Sequence, residues 1–560
     1  MIYIIFIYFD IRTSCEVTKN LNTNEQLVID NENNNVDDIY KSIIIDAGST
    51  GTRVYIYNYT IINDNDDGNN SSNNKNIRVY IPSINSKTTP GLVYLLNNYF
   101  EENETKPFDD YFKEIKTFIN KNVKPEERSS TTIFMRASGG FRLLSINKSE
   151  KYINFLKTYL LTNFNEFLLI DDLLINVLSG KEEAILSFVS IYALLEKFSP
   201  SPVIYTNKKE KKKGEEAKNV AYINEDNGIM NYKKDTIGVL ELGGATAQIV
   251  IKIPPSEMNK DISNIFNYKY KEKNKVKSII EENYKNRNII KINLYNKDIY
   301  LYCKSYLVLG RQNIMKTYLH YNVHEYTKNG NISNEPNVSN ISNISNISNK
   351  FVPLPCFPKN FKFYINNLYD TSIEEELQEY QENIAIDNNT YVGVGMGDLE
   401  LCRKQIQNIL NYAQIHALPF NLKKFIKLYG IENFHHFAID ILNISEEHNP
   451  IPLNTDMYLE KAKEVCPLTI SEIKKIVRPE SNMEKSQTSC FGLIFLYEFM
   501  RYIFNINNSI RFHSTNYINE TNITWTISVL LMELPPHIDL IKKQKQKQKQ
   551  RIINNNYDEL

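Results

Sequence analysis

The sequence has no surplus of charge. Lysine plus arginine (65) and aspartate plus glutamate (66) cancel across 560 residues, which removes the electrostatic case for a nucleic acid or an anionic membrane as the main partner. A small molecule or a protein is expected instead. No stable membrane span is expected once a leader is removed: the opening apolar run, MIYIIFIYF, is too short for a spanning helix, but has the length of a signal-peptide h-region. Residues 1–20 are read as that leader. The run lacks a basic n-region, so a buried strand is the other reading. Zinc-finger spacing is missing too, although Cys303, Cys356, Cys402, Cys466 and Cys490 all fall in the later half of the chain. They would pair in an oxidising compartment and be buried thiols in a reducing one. The last four residues, YDEL, differ from the K-D-E-L retrieval address only at the first position. Secretory-pathway lumen is the expected location, with the endoplasmic reticulum first and Golgi or secretion as alternatives.

Four stretches are poor in residues that can build a core. They are the Asn/Asp run at 63–76, the charged run KKEKKKGEEAK, the NIS triplets at 331–349, and the KQKQKQKQ tail. Too little apolar area is available in any of them to offset the entropy of ordering, so they are expected to be surface loops and a solvated tail. The NIS triplets also create N-x-S acceptor sites, which a secretory lumen would glycosylate.

Between these stretches, short β-rich runs alternate with helical segments, which predicts α/β architecture with mixed sheets. SIIID, a Gly turn and RVYIYNY read as strand, turn, strand. TIGVLELGGATAQIVIKI repeats that plan roughly 195 residues later, so one device occurs twice. SGKEEAILSFVSIYALLEKF reads as a helix with its acids at the start.

Each turn carries oxygen and amide groups suited to phosphate. After Asp46, the turn Gly48, Ser49, Thr50, Gly51 and Thr52 can aim backbone amides at one point, flanked by hydroxyls, with Arg53 close by. Asp46, at a strand end, is placed to hold Mg2+ or Ca2+ through water. In the second turn, Glu241 precedes Gly243, Gly244 and Ala245, and then Thr246 and Gln248 share one face of the outgoing strand, able to hold a water. A plain hairpin is the other reading of each turn.

Five segments, DAGSTGTR, ASGGFRLL, SGKEEAILSF, LELGGATAQI and SCFGLIFLYEFM, occur in the order and approximate spacing of the five signature regions of the apyrase, or nucleoside triphosphate diphosphohydrolase, family. The chain resembles that family over about residues 41–535, with further similarity at KTTPGL, YCKSYLVLG, GMGDLELC and WTISV. The resemblance implies a two-lobed, actin-like (RNase H-like) α/β fold with a nucleotide cleft between lobes. It divides the chain into a first lobe at 41–178, a second at 179–502, a return to the first at 503–535 and a tail at 536–560. It further implies metal-dependent hydrolysis of the terminal phosphate of nucleoside di- or triphosphates, in which a carboxylate activates the attacking water.

Carried over by position, the resemblance makes Glu183 the base. Ser138 stands for the family's usual threonine, Thr246 and Gln248 help place the water, and Asp46 and Glu241 hold the metal-bound waters. Without the resemblance, adjacent acids at a helix start read as partners of the N-terminal dipole; Glu182, beside Glu183, is expected to point elsewhere. The pairings Cys356 with Cys402 and Cys466 with Cys490 are likewise implied, leaving Cys303 free or joined to Cys15. The turn S-T-G-T-R resembles the soluble or Golgi-type diphosphatases more than the cell-surface apyrases, which favours UDP or GDP.

The chain departs from the family pattern at five further places. Glu241 stands for aspartate, Ala184 for glycine, Phe188 for tryptophan, Gly140 follows Gly139 where Ala-Gly is usual, and Gly492 replaces an acid. Those departures motivate the competing expectation, a catalytically weakened actin-like protein that binds nucleotide as a ligand. A sugar kinase of the same superfamily would need an acceptor pocket for which the sequence offers no residues.

Overall fold

The computed structural model describes residues 38–63, 75–198, 201–206, 237–253, 288–295, 297–328, 350–365, 391–412, 427–481, 483–504, 506 and 508–558. The leader, Cys15, the last two residues of the terminal YDEL and most of three of the low-complexity stretches lie outside them. The chain divides into two compact units. One takes the described residues within 12–231, 293–297 and 518–560, and the other those within 232–292 and 298–517. They are called here the first-loop and second-loop units.

The first-loop unit is built on a seven-stranded sheet with the order β6-β5-β1-β2-β3-β7 and β4 beside β2. Its strands are β1 (Tyr40–Ala47), β2 (Thr52–Asn63), β3 (Lys75–Ile81), β4 (Ile84–Thr88), β5 (Thr132–Ala137), β6 (Ile175–Val177) and β7 (Val203–Tyr205). β1 and β2 form the expected hairpin, β2 and β3 are antiparallel, and β1, β5 and β6 run parallel. β1 reads as an almost unbroken apolar run because both of its faces are covered: Ile43, Ile44 and Ile45 are fully buried.

The second-loop unit has its own seven-stranded sheet, ordered β10-β11-β9-β8-β15-β17-β16. These are β8 (Ile237–Leu242), β9 (Thr246–Ile253), β10 (Ile289–Leu294), β11 (Lys297–Leu307), β15 (Lys427–Glu432), β16 (Ile451–Leu453) and β17 (Phe512–Ser514). β12 (Lys350–Leu354), β13 (Lys362–Ile365) and β14 (Tyr391–Gly395) make a separate three-stranded sheet. Within the large sheet, β11-β9-β8 is an antiparallel meander joined in parallel to β15 and then β17. β3-β2-β1-β5-β6 is ordered in the same way, so the duplication read from two turns extends to five strands of each sheet.

Both implied disulfides are present, Cys356 with Cys402 and Cys466 with Cys490. Cys303 is buried on β11.

Two expectations differ from what is found. The segment after residue 178, assigned above to the second lobe, packs in the first-loop unit: β7 pairs with β3, and Ser528 Oγ donates to Leu186 O at 2.7 Å. The reason is the helix Gly180–Leu194, which is buried along its length from Glu183 to Leu194 and needs cover on every side. Residues 503–517 pack instead in the second-loop unit, β17 among them. The Lys/Gln tail is also not a solvated coil. It lies in the helix Ile538–Asp558, where Ile541 and Gln548 are buried, Ser130 Oγ donates to Gln548 Oε1 at 2.7 Å, and Lys549 pairs with Asp38 at 2.5 Å. A two-residue Lys/Gln repeat shows no apolar stripe, yet in a helix it still places Gln544 and Gln548 on one face, four apart.

Candidate functional site

Both turns are built to one hydrogen-bond plan. In the first, Gly48 N donates to Gly51 O at 3.0 Å and Asp46 lies opposite Arg53; in the second, Gly243 N donates to Thr246 O at 2.9 Å and Glu241 lies opposite Gln248. Each is a four-residue turn that follows a buried carboxylate by one residue, Asp46 being 5 % and Glu241 8 % exposed.

In the first-loop unit, β1, β5 and β6 end in register, Ala47 beside Ala137 and Ala137 beside Val177. The segments that follow them therefore leave one edge of the sheet side by side, at the carboxyl ends of parallel strands where α/β folds place ligands. One carries the turn, the next Ser138, the third the start of the helix with Glu183. Ser138 N donates to Ala47 O at 3.2 Å and Leu178 N to Ala137 O at 2.8 Å, tying the three together.

The turn itself is enclosed by groups far away in sequence. A Cβ on Gly91 would lie 2.2 Å from Ser49 O and one on Gly140 3.2 Å from Ser49 Cα, so both glycines allow neighbouring backbone to close on the tip. Tyr111 Oη takes the Thr52 amide at 3.1 Å and donates toward Pro90 O at 2.9 Å. Ser49 and Thr50 are exposed, whereas Thr52 is wholly buried and spends its amide on Tyr111. Of the residues expected to meet phosphate, Thr52 therefore belongs to the support of the turn. Arg53 Nη1 stands 3.7 Å from Asp46 Oδ2.

The two acids at the helix start face different ways. Glu182 closes a capping box: Ser179 N donates to its Oε2 at 2.7 Å, and Glu182 N donates to Ser179 Oγ at 3.2 Å. Glu183 is 7 % exposed and its Oε2 accepts from Arg142 Nη2 at 2.6 Å, while Arg142 Nη1 donates to Leu178 O at 2.7 Å. Arg142 thus fixes the orientation of that carboxylate. Its place in ASGGFRLL was visible in the sequence, but nothing there linked it to an acid 41 residues on.

In the second-loop unit, Thr246 and Gln248 are buried on one face of β9, with Gln248 Nε2 donating to Thr246 Oγ1 at 3.0 Å. The turn is held by the start of the helix Arg311–Lys328. Gly310 N donates to Ala245 O at 3.2 Å, Arg311 N to Gly243 O at 3.0 Å, and Gln312 N to Gly244 O at 2.9 Å. The donor set of both turns is oxygen and amide only. Among the described residues no cluster of three or more His, Cys, Asp or Glu is arranged to hold a metal.

The model of the GDA1/CD39 (nucleoside phosphatase) family matches residues 31–549. The chain belongs to this family. It is 20 % identical over 524 residues to the nucleoside-diphosphatase mig-23 of Caenorhabditis briggsae, covering 88 % of this chain and 76 % of that one. With the human ectonucleoside triphosphate diphosphohydrolase 4 it shares 18 % identity over 511 residues, 87 % of this chain and 72 % of the relative. Golgi apyrase of Schizosaccharomyces pombe is 22 % identical over 222 residues, 39 % of this chain and 32 % of its own. Among solved structures, a nucleoside triphosphate hydrolase of Neospora caninum matches with a TM-score of 0.50 at 11 % identity, covering 89 % of this chain and 92 % of the other, and shows the fold alone. The actin-like α/β architecture implied by the five motifs is therefore the one found. No helix among the described residues of this nucleoside phosphatase family member is long and apolar enough to cross a membrane.

Proposed function

We propose that this protein hydrolyses the terminal phosphate of nucleoside diphosphates, triphosphates or both, with Glu183 taking the proton from the attacking water. The observation that carries the reading is the division of labour at the helix start. Glu182 is spent on the cap, and Glu183 is buried and held by Arg142 beside the first turn. A base with a fixed orientation meets the geometric demand of proton abstraction, which comes before any demand on acidity. Membership of a nucleoside phosphatase family supports the reaction class.

In this reading the amides of Ser49, Thr50 and Gly51 and the second turn hold phosphate oxygens, Ser138 borders the water, and Thr246 with Gln248 orients it. The family depends on a divalent cation, and the oxygen-only donor set fits Mg2+ or Ca2+, held through water by Asp46 and Glu241. Such a cation, when bound, offsets charge on the phosphoryl oxygens. The longer side chain of Glu241 sets its carboxylate about one bond length farther out than aspartate, which favours the more tolerant coordination of calcium.

Two disulfides and the S-T-G-T-R turn support a secretory-lumen diphosphatase that removes UDP or GDP left by glycosyl transfer. The test is phosphate release by the purified full-length chain from UDP, GDP and ATP, each with Mg2+, with Ca2+ and with chelator. Release from diphosphates that stops on chelation is expected. Nucleotide binding without release under any of these conditions would overturn the proposal.

A further inference from the structure

The second turn is held by a device that no motif reading assigned a task. Three consecutive carbonyls of the turn, those of Gly243, Gly244 and Ala245, accept from the backbone amides of Arg311, Gln312 and Gly310, and Asn313 N adds a longer bond of 3.3 Å to Gly244 O. One side chain joins them: Asn313 Nδ2 donates to Ala245 O at 3.1 Å. Gly310 makes the approach possible, because a Cβ there would lie 2.3 Å from Ala245 C and from Thr246 N.

In a trans peptide the N–H points opposite to the preceding C=O. Carbonyls drawn toward the helix start therefore turn the amides of Gly244, Ala245 and Thr246 away from it, on the opposite side of the turn. Successive amides facing one way form an anion-binding concavity. Only Asn313 among the donors can be changed without changing the backbone.

We propose that Asn313 is a positioning residue for phosphate hydrolysis, fixing the Ala245 carbonyl and through it the direction of the second turn's amides. The inference rests on the hydrolase reading above. Preorganised donors act on charge that develops in the transition state, so their misalignment lowers turnover more than substrate affinity. Arg311 locks the same helix start from behind: its Nη2 donates to Thr488 Oγ1 at 2.5 Å and to Glu484 Oε1 at 3.1 Å, and its guanidinium lies over the Phe437 ring at 5.5 Å.

Asn313→Asp is the discriminating variant. It keeps shape and suits a helix N-terminus, but its carboxylate cannot donate to Ala245 O. The full-length protein is assayed for release of phosphate from a nucleoside diphosphate, with unfolding by denaturant and amide exchange of residues 241–250 and 308–315 measured alongside. The expected result is a fall of about tenfold in kcat for Asn313→Ala and more for Asn313→Asp, KM within about twofold, unchanged stability for the Asp variant, and partial rescue by Asn313→Gln. Exchange at residues 310–313 should rise in the Ala and Asp variants. Wild-type kcat in both variants of an active enzyme would overturn the proposal, as would a loss that merely tracks the unfolded fraction. If the wild-type chain releases no phosphate, the hydrolase reading fails. The clamp is then judged by exchange alone, and unchanged protection in Asn313→Asp sinks it.

Discussion

Replacing Glu183 by Gln keeps the side chain's shape and removes the group that would accept a proton. The loss of a general base is worth a hundredfold or more, about 2.7 kcal/mol of barrier. The cost to stability is smaller. Gln offers Arg142 a neutral oxygen where Glu183 Oε2 now accepts at 2.6 Å. Exchanging a charge-assisted bond for a neutral one costs about 1–2 kcal/mol, short of the ~3–5 kcal/mol of a buried charge left without its partner. Glu182→Gln is the matched control, since Gln also completes a capping box; it should keep both stability and most activity. Steady-state phosphate release and denaturant unfolding on the two variants and the parent decide the matter, with nucleotide binding measured for Glu183→Gln. Equal turnover of the two variants refutes the assignment. So does a Glu183→Gln enzyme that has lost nucleotide binding along with turnover, because the carboxylate would then be structural.

Other outcomes follow from named contacts. A Cβ on Gly492 would lie 2.0 Å from Phe437 Cζ, so Gly492→Ala should cost about 1–3 kcal/mol, and Phe437→Leu should recover part of it in a double-mutant cycle; additive losses would contradict the packing. Burial, aided by His436, lowers the His435 pKa to about 4, and burial aided by Lys427 does the same for His513. Because the folded values lie below the unfolded 6.5, the unfolded chain takes up these protons first. Stability is therefore full above about pH 6.5 and falls as the pH drops toward 4, by roughly 2 kcal/mol per group after allowing for solvent. Unfolding across that range should flatten in His513→Gln, and an unchanged slope would refute the assignment. The disulfides close segments of 46 and 24 residues and should contribute about 4 and 3.5 kcal/mol on the chain-entropy scale; non-reducing peptide mapping that recovers neither bridge would overturn this.

What could be read from the sequence was local. The hairpins β1–β2 and β8–β9 announce themselves by β-branched runs around Gly turns, and Ser179 with Glu182 spells a capping box within four residues. The five motifs supplied the actin-like fold and the disulfide pairs, which spacing alone left open. Long-range relations escaped. Arg142 reaches Glu183 across 41 residues, and Asn313 reaches Ala245 across 68; neither pair has a periodic or compositional trace. The helix at 180–194 was placed in the wrong unit because an all-round apolar helix does not reveal its partners. The Lys/Gln helix was missed because its repeat of two hides a helical face that uses glutamine amides where a core helix would use leucine.

The late return of the chain to the first-loop unit bears on how the protein is made. Tyr57 Oη bonds Thr526 Oγ1 at 2.7 Å across 469 residues, Ser130 meets Gln548 across 418, and Arg136 pairs with Glu533. At ~5–20 residues per second, a ribosome takes on the order of a minute between the first and last of these partners. Throughout that interval Ile43, Ile45, Val54 and Ile56 already have their cover from the helices within residues 92–163, but the sheet lacks the closing segment that begins at Ile518. The second-loop unit, by contrast, is nearly continuous in the chain and is complete before the closing helices emerge. A nascent chain therefore finishes its middle first and its beginning last, and the helix Gly180–Leu194 waits for Ser528, which caps Leu186 O, until after the second-loop unit is made.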